Sequence, residues 1–179
     1  KQKTAYEIYQ CDWSSDVCSS DLAGATQLYP VTSGQAVYNG QVVQFVNGGT
    51  ISPVSDIHGT VNMVGVCVGV QYVNSSGQTV QAQYAPSSGV SSVYAYVVND
   101  PAAVFKVAVT GNNQTITPIA GTCLNTNVQG VTGTGDTVTG DINSSIDGGT
   151  ANNTATYPFR IVDRKSTRLN SSHTDISRM

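Results

Sequence analysis

Four valines at every second position, Val64, Val66, Val68 and Val70, separated by Gly65, Cys67 and Gly69, restrict what this chain can become. A period of two places the valines on one face of an extended strand, where a helix would scatter them around its circumference. Valine is also stiff at its first side-chain torsion and packs well on a pleated surface. The run over residues 61–73 is therefore read as a long strand with a core face. Glycine on the opposite face predicts either close approach by another backbone or a bulge.

The surrounding text extends this pattern. Val, Thr, Ala, Asn, Ser and Gln dominate it, while Leu and Glu are nearly absent, so strands are favoured over helices. Residues 35–38 and 41–46 flank Asn39-Gly40, which predicts a hairpin. Asn47-Gly48-Gly49 then leads into a strand over 50–54. Asn74-Ser75-Ser76-Gly77 closes the long strand, 78–84 returns, and 93–98 follows, which together read as a β-meander. Asn99-Asp100-Pro101 marks a corner before 104–110, with a short helical turn at 102–105 as an option. From Gly121 to Thr156 the composition shifts to Gly, Thr, Asn, Ser and Asp, predicting a loop-rich arm with short strands, and 157–162 reads as a closing strand. The expected fold class is all-β: a single antiparallel β-barrel or β-sandwich-like domain with a Gly/Thr/Asn-rich arm.

Both ends read differently. Residues 163–173, DRKSTRLNSSH, back-translate without mismatch to a common sequencing-library adapter, and residues 1–7 and 12–22 fit the same adapter on the opposite strand. Residues 8–11 and 174–176 encode one sample index and its reverse complement, an independent agreement between the two flanks. Residues 1–22 and 163–179 are therefore read as adapter-derived, non-biological sequence and excluded from fold reasoning, leaving 23–162 as the β-rich domain. That segment is consistent with a fragment of a longer protein. Its size suits one domain, and no signal peptide is visible within it.

Setting the flanks aside removes Trp13, Glu7, Cys11, Cys18, His173 and six of the eight Lys and Arg residues. Residues 23–162 keep Lys106 and Arg160 against Asp56, Asp100, Asp136, Asp141 and Asp147, a net charge of minus three. Two bases form no phosphate-binding stripe, which argues against nucleic-acid binding. Residues 61–73 fall short of the roughly 20 apolar residues that a spanning helix needs, so no membrane partner is expected.

Little chemistry can be assembled. His58 has no second His, Cys or Glu at catalytic or metal-ligand spacing, and a surface or turn role is expected. Cys67 and Cys123 match no zinc pattern and suit either two reduced thiols or a disulfide. Asp136, Asp141 and Asp147 resemble a Gly/Asp calcium loop but lack its repeat and its bidentate Glu, so a solvated loop is favoured. Asn74, Asn113, Asn143 and Asn152 open glycosylation triplets of the kind that composition alone produces. No catalytic, cofactor-binding or metal-ligating residue is assigned, no cofactor is expected, and an enzyme is not expected.

Four segments in order, YNGQVVQFVNGGTI, VGVCVGVQYV, AYVVNDPAAVFKV and YPFRIV, carry a resemblance. The chain resembles capsid-associated structural proteins of environmental tailed phages, which show a Gly-Asp-Val-Val strand after a turn, a Gly-Val-Phe-x-Gly-x-x-Tyr strand, an Asp-Asp-Pro corner and a late Phe-x-Val/Ile-Val strand. Here Gln41 stands for the Asp, Cys67 for a common aromatic, and Asn99-Asp100-Pro101 for Asp-Asp-Pro. The resemblance implies a non-enzymatic virion protein, a capsid decoration or minor head component that contacts capsid protein and self-associates. A secreted adhesin or carbohydrate-binding β-domain would share the composition and be extracellular. Its mark would be Tyr84, Tyr94 and Tyr96 lining one exposed face, whereas burial of Tyr94 and Tyr96 would count against it.

Overall fold

The computed structural model describes residues 26–59, 62–110 and 124–162. Among these the regular structure is β throughout, apart from one 3₁₀ turn at Gly148–Thr150. The strands are β1 (Thr26–Pro30), β2 (Val37–Tyr38), β3 (Val42–Val46), β4 (Thr50–Pro53), β5 (Met63–Asn74), β6 (Thr79–Ala82), β7 (Tyr84–Ala85), β8 (Val90–Val98), β9 (Ala108–Thr110), β10 (Asn127–Val128), β11 (Gly130–Val131), β12 (Ser145–Asp147) and β13 (Phe159–Arg160).

The predicted long strand is the centre of the main sheet, whose order is β1-β8-β5-β3-β4 with β6 also on β5. All its pairs are antiparallel. β8 runs along most of one edge of β5, while β3 takes the first half of the other edge and β6 the second half. The order corrects the meander. β3 and β4 form a hairpin, but β5 returns to the far side of β3, and β8 skips β6 to reach β5. The sheet curls until its outer strands meet at one bridge, Val31 to Ile51, without closing into a barrel. Elsewhere one parallel pair, β9 with β12, joins antiparallel β11.

Asn39-Gly40 forms a turn but no hairpin. The Gln41 N–H donates to the Tyr38 carbonyl, and only Gly40 has a positive φ, +80°. One positive φ, at the third position, is the type II pattern, whose twist splays the flanking strands instead of pairing them. Accordingly β2 pairs with β7, and β3 with β4 and β5.

The single core face expected for residues 61–73 is also corrected. The β5–β8 register shifts between Cys67 and Gly69, so Cys67 and Val70 reach the same cluster inside the curled sheet, with Val31, Val37, Val43, Ile51, Ala85, Ala95 and Val97. Val66 belongs to the opposite face, where it packs with Val42, Val54 and Ile57 beneath Phe105 and Phe159. The forecast of close approach at glycine holds at Gly65, where a Cβ would collide with the Val98 carbonyl.

The Gly-rich segment is docked on the sheet. Gly130 N–H donates to the Ile57 carbonyl at 3.0 Å, and the Thr132 hydroxyl donates to Ser55 O at 3.3 Å. A Cβ at Gly130 would meet Phe159 and Ile57, and one at Gly135 would strike the Tyr38 ring. Glycine here is what lets the backbone lie against aromatic rings. The closing strand shortens to Phe159–Arg160 on β10, and a third cluster of Val128 and Ile161 sits within the arm. At the Asn99-Asp100-Pro101 corner the Asp100 side chain accepts from Ala102 N–H and its carbonyl from Ala103 N–H, a turn with no helix after it.

Candidate functional site

Cross-strand register identifies one uncovered face. Residues directly opposite in a sheet point to the same side. One row on the outer face is Val42, Val66 and Val98, all buried, with Val42 and Val66 in the cluster beneath Phe105 and Phe159. The next rows, Gly69-Tyr96-Leu28 and Gln71-Tyr94-Pro30, lie beyond that cover. Leu28 is 47% exposed and Tyr94 38%, while Tyr96 is half-buried with its hydroxyl donating to Gln71 Oε1 at 3.1 Å. Ala95 and Val97, alternating with them, point into the core, so strand alternation alone presents both tyrosines outward.

Tyr84 is elsewhere. It stacks on Tyr38 with centroids 5.5 Å apart and planes 9° from parallel, on the small β2–β7 sheet. The three tyrosines do not share a face, and the two on β8 are only partly exposed. Leu28 was the member of the outer face that sequence reading passed over, because its partner strand could not be known.

Beside Tyr94 a shallow cleft of about 200 Å³ lies between residues 30–35, 86–87 and 90–94. Its wall combines Tyr94, two prolines and three valines with serines, Thr32 and Gln35, and holds no charged side chain. Ser92 at its rim has φ +51°, where β8 carries an extra residue against β5. Such a lining offers hydroxyls, one amide and one aromatic ring, and no carboxylate, imidazole, amine or thiol.

The residues weighed for chemistry fall apart in space. His58 is on the surface as expected, its ring and backbone N–H both against the Asp56 carboxylate, which those bonds hold below the ordinary carboxylate range. Among the described residues no third side chain is bonded to the pair, and neither residue lines the cleft. Cys67 is a free thiol, fully buried, donating to Gly69 O at 3.3 Å; burial raises its pKa to about 12. Cys123 and Asn113 lie outside the described residues, as do both adapter-like flanks.

Asp136 and Asp147 each serve a local turn, while Asp141 ties together segments far apart in sequence. Asp136 Oδ1 accepts from Val138 N–H at 2.8 Å, Asp141 Oδ1 from the Asn39 amide at 2.8 Å, and Asp147 Oδ1 from Gly149 N–H at 2.9 Å. No cluster of three or more His, Cys, Asp or Glu exists among the described residues. Asn74 and Asn152 likewise use their side-chain oxygens as turn acceptors, and Asn143 accepts from Thr134 N–H across the Gly135–Ile142 bridge. Gln41 Oε1 accepts from Tyr38 N–H at 3.0 Å, a bond for which a carboxylate would serve equally. Among the described residues no helix is long and apolar enough to cross a membrane.

No family model, curated protein or solved structure matches this chain.

Proposed function

We propose that the chain is a non-enzymatic virion structural protein, a capsid decoration or minor head component that works by surface contact with capsid protein and with copies of itself. The observation that supports this most is the outer face of β1 and β8 left open by the described residues, where Leu28 and Tyr94 stand beside Tyr96 on an antiparallel sheet. Aromatic and aliphatic side chains on a surface with few charges are the composition of an interface core. The four segments that carry the phage resemblance fall on β2 to β4, β5, β8 with its corner, and β13. Architecturally, the reading takes the curled sheet and its docked arm as a β-sandwich-like domain with barrel-like curvature. It takes residues 1–22 and 163–179 as adapter-encoded, without a part in function.

A carbohydrate-binding or adhesin role draws support from Tyr94 beside the uncharged cleft. It loses support because Tyr84 is stacked away on Tyr38. Co-sedimentation with capsids of the phage whose contig encodes the chain separates the two. Pelleting with capsids is expected. A chain that stays in the supernatant yet binds neutral glycans on an array would replace the virion reading with the secreted one.

A further inference from the structure

The chain contains the same dipeptide, Asn-Gly, in two turns whose surroundings are opposite. Asn39-Gly40 is locked at every polar atom that matters. The Asn39 N–H donates to Gly140 O at 3.0 Å, its carbonyl accepts from Ile142 N–H at 3.0 Å, and its amide nitrogen donates to Asp141 Oδ1 at 2.8 Å. The Gly40 N–H donates to the Cys67 carbonyl at 2.7 Å, and Gly40 is buried. Asn47-Gly48 tips the β3–β4 hairpin, with residues 47–49 all exposed and Gly48 and Gly49 at φ +97° and +76°. Among the described residues no hydrogen bond holds the Asn47 side chain or the Gly48 N–H, and the space around Gly48 is open.

We propose that Asn47 is a site of spontaneous, self-catalysed modification, deamidating through a succinimide, while Asn39 is protected by the fold. The Gly48 backbone nitrogen attacks the Asn47 side-chain carbonyl carbon, forming a C–N bond. The original C–N bond breaks, and the amide leaves as ammonia, taking up the proton lost by Gly48. Water then opens the ring at either carbonyl, giving Asp or isoaspartate. Water is the only co-reactant, and nothing is oxidised or reduced. Glycine matters because it places no Cβ beside the attacking nitrogen. An exposed turn closed only at its base, by the Val46–Thr50 pair, lets Asn47 rotate into the attacking geometry. At Asn39 the nucleophile is already donating a hydrogen bond and the leaving amide is tethered, so reaction waits on local opening of the β5 and arm contacts. The product adds a negative charge to the hairpin tip, and isoaspartate also lengthens its backbone by one atom.

The full chain is incubated for weeks at mildly alkaline pH, native and in guanidinium chloride, then digested and mapped by mass spectrometry with isoaspartate resolved. In the native chain Asn47 is expected to convert at least about tenfold faster than Asn39. In denaturant the two should convert at similar rates. Equal rates in the native chain would overturn the proposal, as would an Asn47 that stays amidated while the denatured chain converts.

Discussion

The main sheet and the Gly-rich arm are built from similar residues yet hold together by different means. The sheet buries an apolar cluster: Val43, Ile51, Cys67, Val70, Ala95 and Val97 all lie within a few per cent of full burial. The arm, residues 124–162, has strands of two or three residues and a small cluster at Val128 and Ile161. Much of its order comes from side-chain oxygens of Asp136, Asn143, Asp147 and Asn152 accepting backbone N–H groups, mostly in local turns. Such bonds contribute only about 0.5–1.5 kcal/mol net each, whereas one buried aliphatic side chain contributes about 1.5–3 kcal/mol. The arm should therefore depend on the sheet more than the sheet depends on the arm.

The largest expected effect comes from breaking the sheet. Ile51 is fully buried on β4 and shares the bridge to Val31 that draws the two outer strands together. Ile51→Ala should cost about 2–5 kcal/mol through lost contact and a residual cavity, and both regions should lose structure together. Chemical denaturation followed by hydrogen exchange on peptides from each region checks this. Survival of arm protection after the sheet has opened would reverse the dependence argued above.

Phe159 gives the reciprocal test with a smaller effect. Its ring packs against both the Val42-Val66-Ile57 cluster and the Val128-Ile161 cluster, so it fastens the arm to the outer face of the sheet. Phe159→Ala should cost about 2–3 kcal/mol, below the full-core range because the ring is half-buried. Exchange should accelerate over 124–162 while β5 and β8 stay protected. If β5 and β8 lose protection equally, the two regions form one cooperative unit and the asymmetry fails.

This asymmetry also explains what was legible in the sequence. Period-two alternation foretold β5, and the turn signals around it bounded β3 and β8, because these strands answer mainly to a nearby core. Asn39-Gly40 was misread as a hairpin because its turn type is set by contacts a hundred residues away, with Gly140, Asp141 and Ile142. The shift at Val68, which brings Cys67 and Val70 to one cluster, leaves no mark on a one-dimensional pattern. The outer face was half legible. Tyr94 and Tyr96 share a face by spacing, but their company with Leu28, and the cover that stops one row short of them, come from pairing.

The smallest effect separates the regions by pH. Among the described residues Cys67 is a buried titratable group of the sheet, while the arm carboxylates sit in exposed or half-buried turns. Its thiol ionises near 9.0 when unfolded and at about 12 when folded, so the native state keeps a proton that the unfolded chain gives up. Stability from this group is complete below pH 9 and falls as pH rises toward 12, by about 1.4 kcal/mol for each unit past 9. Cys67→Ala removes that slope at the expense of a small cavity, so the melting curves of the two chains should converge with rising pH. The two chains differ at this one group, so the difference between their curves isolates it. Parallel loss of stability in both chains from pH 9 to 11 would show that the thiol ionises without opening the sheet. Exchange at pH 10 should weaken protection first along β5 and its partners, with the arm following only as far as its Phe159 anchor loosens.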